Sequence, residues 1–203
     1  NAQMRDGLPH LTGSLGLQSF DLASVAELAT GAAALEGDGE NWPSAPFAQR
    51  VATPFTAELE LAVERLHAGW LAQADDARMT LRVGTDGVAL SDARARVYGG
   101  TISGLLDFKN DGGTGLLSGQ LKLGGARIAS ILGETGLDGA ADLTATLTAS
   151  GKSVDAVISA LAGSGTVTVS DLAVDGIAPQ VFDALLAQAD RIGPEIDAAA
   201  VAD

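Results

Sequence analysis

From Phe55 to Val169 the chain keeps returning to one pattern: apolar and polar residues alternate, a glycine-containing turn intervenes, and the alternation resumes. Phe55, Ala57, Leu59, Leu61 and Val63 take odd positions with Glu58 and Glu60 between them, and Ala77, Met79, Leu81 and Val83 alternate with Arg78, Thr80 and Arg82. A period of two sends successive side chains to opposite faces of a strand, so each segment offers one face to a core and one to water. Residues 84–87, GTDG, carry the Asp-Gly hairpin signal, whose backbone angles match strand twist. Residues 109–114, KNDGGT, form a second turn. Connections this short join antiparallel neighbours and leave no room for a parallel crossover.

The later segments extend the series. Val88 and Leu90 sit on even positions but Ala93, Ala95 and Val97 on odd ones, a slip near Ser91-Asp92 of the kind a one-residue bulge makes. Tyr98-Gly99-Gly100 then reads as a tight turn in which the two glycines supply positive backbone angles. It leads into a strand with Ile102, Gly104, Leu106 and Phe108 on one face. Further strands are expected over residues 119–123, 141–149 and 166–169.

Short helices are expected over residues 20–28, 126–132, 153–161 and 179–189. In the third, Val154, Val157, Ile158 and Leu161 fall at helical spacing, with Ser153 as N-cap and Gly163 as the stop. Residues 12–28 (TGSLGLQSFDLASVAEL) align with residues 118–132 (SGQLKLGGARIASIL) as a strand followed by a helix, and residues 164–169 with the helix from Pro179 give a looser third copy. The expected fold is α+β: a curved antiparallel meander with short helices packed on one face. Residues 1–50 carry the first strand-helix segment, residues 51–190 the β-rich domain and residues 191–203 an Ala-rich acidic tail.

Composition narrows the function classes. Twelve Lys and Arg against 26 Asp and Glu leave a net charge of −14, which opposes the approach of nucleic acid. With no cysteine there are no disulfides, thiolate metal sites or cysteine nucleophiles. No apolar run reaches the ~18–20 residues of a membrane helix. The chain opens on Asn1, as expected of a segment whose targeting information lies outside it.

A reaction centre is hard to assemble from what remains. His10, expected in a loop before the first strand, and His67, at a strand end, are the two histidines, too few for a ligand set. The carboxylate pairs Asp75-Asp76 and Asp107/Asp111 are expected in or beside turns, where Asp is favoured for backbone reasons. Gly-x-Ser-x-Gly is absent, and Gly112-Gly113-Thr114-Gly115 lacks the Lys-Ser/Thr of a phosphate loop. Trp42 and Trp70 suit core or edge packing better than a carbohydrate site. No catalytic residue, cofactor or metal is expected.

The order of the motifs resembles the C-terminal region of the AsmA family. The correspondence runs through Tyr98-Gly99-Gly100, residues 139–143 (GAADL), 149–153 (ASGKS) and 161–165 (LAGSG), and Gly176-Ile177, covering residues 55–186 and, more loosely, residues 12–28. The chain departs from the pattern after Gly176-Ile177, where Ala178-Pro179 replace the usual Asp. The resemblance implies a Gram-negative envelope protein held in the inner membrane by an N-terminal helix absent here, with the remainder in the periplasm. It implies a part in outer-membrane assembly and lipid homeostasis, and likeness to chorein-type bridges whose sheets carry lipid along an apolar groove.

On that reading phospholipid or another envelope lipid would meet Phe55, Leu59, Leu61, Met79, Leu81, Leu121, Leu123, Leu143 and Leu147. Two alternatives stay open. Helices such as residues 153–161 would close the same apolar face into an ordinary core, or the domain would be a scaffold contacting envelope assembly proteins without carrying lipid.

Overall fold

A computed structural model describes residues 1–5, 7–35, 42–50, 53–67, 73–133 and 136–174. Its strands are β1 (Ala2–Arg5), β2 (Leu8–Asp21), β3 (Thr56–His67), β4 (Gln73–Val83), β5 (Gly87–Val97), β6 (Gly100–Asp111), β7 (Thr114–Arg127), β8 (Leu137–Gly151) and β9 (Ala162–Val174). They form one nine-stranded sheet in the order of the chain. Three short helices accompany them, α1 (Ala23–Thr30), α2 (Ile128–Leu132) and α3 (Val154–Ser159), with a 3-10 turn at Ala32–Leu35. The architecture is α+β, a curved open sheet that is antiparallel almost throughout. Strands β2, before residue 50, and β3, after it, are neighbours in this sheet.

The exception corrects the expectation of a wholly antiparallel meander: β2 and β3 pair in parallel, from His10↔Thr56 to Asp21↔His67. Parallel neighbours need a crossover of a dozen or more residues. The chain between Asp21 and Thr56 supplies it, carrying α1 and the 3-10 turn. His10 accordingly lies inside β2, not in a loop, with Nδ1 2.8 Å from the Thr56 hydroxyl.

Strand limits also exceed the expected ones. Residues 166–169 are the middle of the thirteen-residue β9, because the small residues Ala162–Gly165 continue the ladder without any apolar alternation to announce it. Gly163 is therefore in a strand and does not end α3, which stops at Ser159. The expected N-cap does form: Ser153 Oγ accepts from the Ala156 amide at 3.1 Å. Helix α1 begins at Ala23, three residues after the expected start, since Phe20 and Asp21 still pair with β3. Helix α2 begins at Ile128 because Ala126 and Arg127 still pair with β8. The candidate helix at residues 179–189, the tail, Gly176-Ile177 and Trp70 lie outside the described residues.

The turns sharpen the sequence reading. At the hairpin between β5 and β6 the positive angles belong to Tyr98 (φ 52°) and Gly99 (φ 76°), not to the two glycines. Two positive φ values in a two-residue loop match strand twist, as Gly112 (φ 56°) and Gly113 (φ 88°) do between β6 and β7. Gly100 is instead the first residue of β6. The GTDG connection contains no positive φ; Gly84 donates its amide to Gly87 O at 2.9 Å and closes a wider loop.

The slip near Ser91-Asp92 is present. Leu90 pairs with Leu106 but Ala93 with Gly104, and Asp92 takes a φ of 51°. Asp75 and Asp76 lie within β4 and Asp107 within β6, so of these carboxylates only Asp111 borders a turn. A bulge accommodates Asp76, whose φ is also 51°.

The main core sits where the crossover lies on the sheet. Val25 of α1 is buried with Leu61, Val63, Met79, Leu81 and Val97, and Leu22 and Leu28 pack at its margin. A second, smaller cluster joins Ala34, Phe47 and Val157 over Phe108 and Leu117. Here the Phe47 and Phe108 rings meet edge to face, 5.6 Å apart at 85°. Gly115 makes this possible, since a Cβ there would come within 2.6 Å of the Phe47 ring and 2.8 Å of the Phe108 ring.

Candidate lipid-facing surface

Of the nine residues expected to face lipid, eight lie on the apolar face of the sheet and Phe55 just precedes β3, and they fall in two settings. Leu61, Met79 and Leu81 are buried in the core beneath α1, and Phe55 and Leu59 pack half-buried at its edge. Leu121, Leu143 and Leu147 are only half-buried, on β7 and β8, while Leu123 is half-buried and, with Ile102, packs against the margin of the main core. The structure thus brings together two groups, one closed and one open.

Register shows what the open group joins. Ile102, Leu123, Leu143 and Val167 form one cross-strand row over β6–β9, Gly104, Leu121, Ala145 and Gly165 the next, and Leu106, Gly119, Leu147 and Gly163 a third. Neighbouring strands are ~4.8 Å apart, so each row is about 14 Å wide. The rows contain no charged side chain and no side-chain hydrogen-bonding group. Burial falls away toward the edge strand: Val167 is 65% exposed, Val169 47% and Leu172 58%.

Among the described residues, cover lies beside these three rows and not over Leu121, Leu143 or Leu147. Helix α3 and Phe47 close one end over Phe108, Leu117 and Ala149. At the other end the Arg127 amide, just before α2, donates to Tyr98 O at 2.9 Å. Alternate large residues and glycines give the surface a floor of low relief, suited to a flexible chain more than to a rigid planar ligand. The sequence reading missed Val167, Val169, Leu172 and Val174. The Thr166–Val169 alternation signalled the first two, while the bulge at Asp171 (φ 53°) hid the phase of the others.

Tyr98, Gly99 and Gly100, the turn on which the resemblance draws, shape the sheet rather than the surface. A Cβ on Gly100 would approach Gly124 O to 2.4 Å, so glycine there permits the close pairing of β6 with β7. Among the described residues no group of three or more His, Asp or Glu could hold a metal ion, and no helix is long and apolar enough to cross a membrane. Comparison of the chain with models of known families, with curated proteins and with solved structures finds no match.

Proposed function

We propose that this chain is a non-catalytic, AsmA-like periplasmic module that serves outer-membrane biogenesis and lipid homeostasis by binding or conducting phospholipid along the apolar face of β6–β9. The observation that carries the reading is that face: three cross-strand rows without charge, whose Leu121, Leu143 and Leu147 are only half-buried and whose Val167 is exposed among the described residues. Acyl chains are its natural occupant. A peptide or sugar would bring hydrogen-bonding groups that these rows cannot satisfy, at a cost of several kcal/mol for each group left dry. The family reading rests on motif order, and with it the inner-membrane anchor; the strand-helix repeat rests on the alignment of residues 12–28 with 118–132, where β2 is followed by α1 and β7 by α2.

Native mass spectrometry of the chain purified from a Gram-negative host tests the proposal. Phospholipid adducts are expected, and Leu143→Glu with Val167→Glu should abolish them while far-ultraviolet circular dichroism is unchanged. Lipid-free protein from every preparation, or adducts retained by the folded double variant, would sink it.

A second reading, a scaffold for envelope assembly proteins, draws on the edge strand. Among the described residues β9 pairs on one side only, with β8, and an extended peptide could add to its other edge. It predicts capture of an extended peptide by β9 with no lipid required.

A further inference from the structure

The polar face of the same sheet carries an arrangement that charge balance does not explain. Three other arginines of β3–β5 are answered by acids. Arg82 faces Glu58 across β3 and β4 with Nη2 3.0 Å from Oε1, Arg65 faces Asp75, and Arg96 bonds to Asp76. Arg78 and Arg94 instead stand directly opposite each other on β4 and β5. Their row continues through Ser103 of β6 to Lys122 of β7, and in the other direction through Ala62 to Gly16, with no acid in it. Like charges directly opposed across strands are destabilising. In a chain of net charge −14 there is no shortage of acids to separate them.

The two arginines face each other because of two bulges. From Val83↔Val88 to Thr80↔Ser91 the register would place Arg78 against Ala93. The extra residue at Asp92 shifts the partner to Arg94, and the extra residue at Asp76 restores the original register by Asp75↔Arg96. Paired bulges that undo one another within a few residues re-aim side chains locally and leave the rest of the sheet unchanged. Beside Arg78 the side chains shrink to Ala62 and Gly16, and a recess of about 600 Å³ opens, lined by these residues together with Gln18, Glu64 and Asp76.

We infer that the Arg78–Arg94 pair and the adjoining recess form a binding site for a phosphate ester whose remainder is neutral or cationic. Two guanidinium groups present planar donor forks that match phosphate oxygens, and one shared anion removes their mutual repulsion. Glu64 and Asp76 at the recess then disfavour a second anionic group, so a zwitterionic phosphodiester fits and a polyphosphate does not. The site is on the opposite face from the apolar rows and does not rest on the lipid reading.

The test is isothermal titration and amide chemical-shift mapping with glycerophosphoethanolamine, and separately with pyrophosphate, at low ionic strength. Saturable glycerophosphoethanolamine binding is expected, with shifts at Ala62, Arg78 and Arg94 and affinity about tenfold above that for pyrophosphate. Arg78→Gln and Arg94→Gln should each weaken it by about tenfold or more, the loss of one charged hydrogen bond. Arg82→Gln, whose arginine is already paired, should leave it unchanged. Since Arg94→Gln also removes a repulsion, it should not lower the Tm. Vesicles of phosphatidylethanolamine separate the sources: binding to both forms assigns a lipid headgroup, and binding to the soluble ester alone assigns a free phosphate ester. No saturable binding, equal affinity for pyrophosphate, or insensitivity to both arginine variants would overturn the inference.

Discussion

Leu81 on β4 and Val167 on β9 occupy the same face of one sheet, yet Leu81 is 5% exposed and Val167 65%. Both come from strands with the same two-residue alternation, so periodicity does not account for the difference. The crossover does. Because β2 and β3 run parallel, the chain between them must return along the sheet; it sets α1 against β5 and β6 and brings Leu22, Val25 and Leu28 into one core with the apolar residues of β3–β5. The two-residue hairpins from β5 to β6 and from β6 to β7 bring nothing comparable; among the described residues α1 touches β6, and Ala34 and Phe47 of the crossover pack with α3 over Phe108, Leu117 and Ala149 near one end of β6–β8. One sheet thus has a closed half that supplies the core and an open half that does not.

Truncation should show that contrast most strongly. Leu81→Ala removes side-chain volume from the closed half and is expected to cost about 2–5 kcal/mol in urea denaturation. Val167→Ala on the open half should cost less than about 0.5 kcal/mol, as for exposed positions generally. Equal costs would mean that the two halves are closed alike, and the comparison would fail.

Asn110 ties the crossover to the open half. Its Nδ2 donates to Ala29 O at 2.8 Å and to Ala48 O at 2.9 Å, while Oδ1 accepts from the Gly113 amide at 2.8 Å. Asn110→Ala leaves two carbonyls and an amide without this partner in a half-buried place, and is expected to cost about 1–3 kcal/mol. Hydrogen exchange should quicken at Gly113 and at the end of α1, with little change in the middle of β8.

The difference between the halves also marks how far the sequence could be read. The alternations at residues 55–63 and 77–83 gave β3 and β4 because alternation is the direct imprint of a sheet with two unlike faces. KNDGGT gave its turn for the same kind of local reason. Which apolar residues would be covered was not legible, since Leu81 and Leu143 look alike in a strand pattern and only the path of residues 22–55 separates them. That path contains little periodicity to read. The paired bulges at Asp76 and Asp92 were half legible, the second through its phase slip and the first not at all, because Asp75-Asp76 beside small residues resembles a turn.

Helix α3 gives an intermediate test. It covers only the end of the open half, through Val157, and its N-terminus depends on one side-chain contact, Ser153 Oγ with the Ala156 amide. Ser153→Ala should therefore cost about 1 kcal/mol, the usual value of an N-cap, and Ser153→Asp should restore most of it. If α3 shields the end of the apolar rows, binding of a hydrophobic dye should rise in the alanine variant and fall again in the aspartate one.

The smallest effect is expected on the polar face of the closed half. Arg82 and Glu58 face each other with side chains 58% and 48% exposed, and two hydrogen bonds, from Arg82 Nε and Nη2, reach the same Glu58 Oε1 at 3.2 and 3.0 Å. Convergence on one oxygen lacks the parallel geometry of a bidentate pair, and both groups stay largely hydrated. Arg82→Gln should change stability by less than about 0.5 kcal/mol in 0.15 M salt, and the residual effect should vanish in 1 M salt. The same salt series on Arg78→Gln should run the other way. Removing one of two opposed arginines relieves a repulsion, so that variant should equal or exceed the wild type at low ionic strength and converge on it as salt screens the pair. Identical salt responses in the two variants would show that the pairing of charges across β4 does not distinguish the two positions, whatever the register places opposite them.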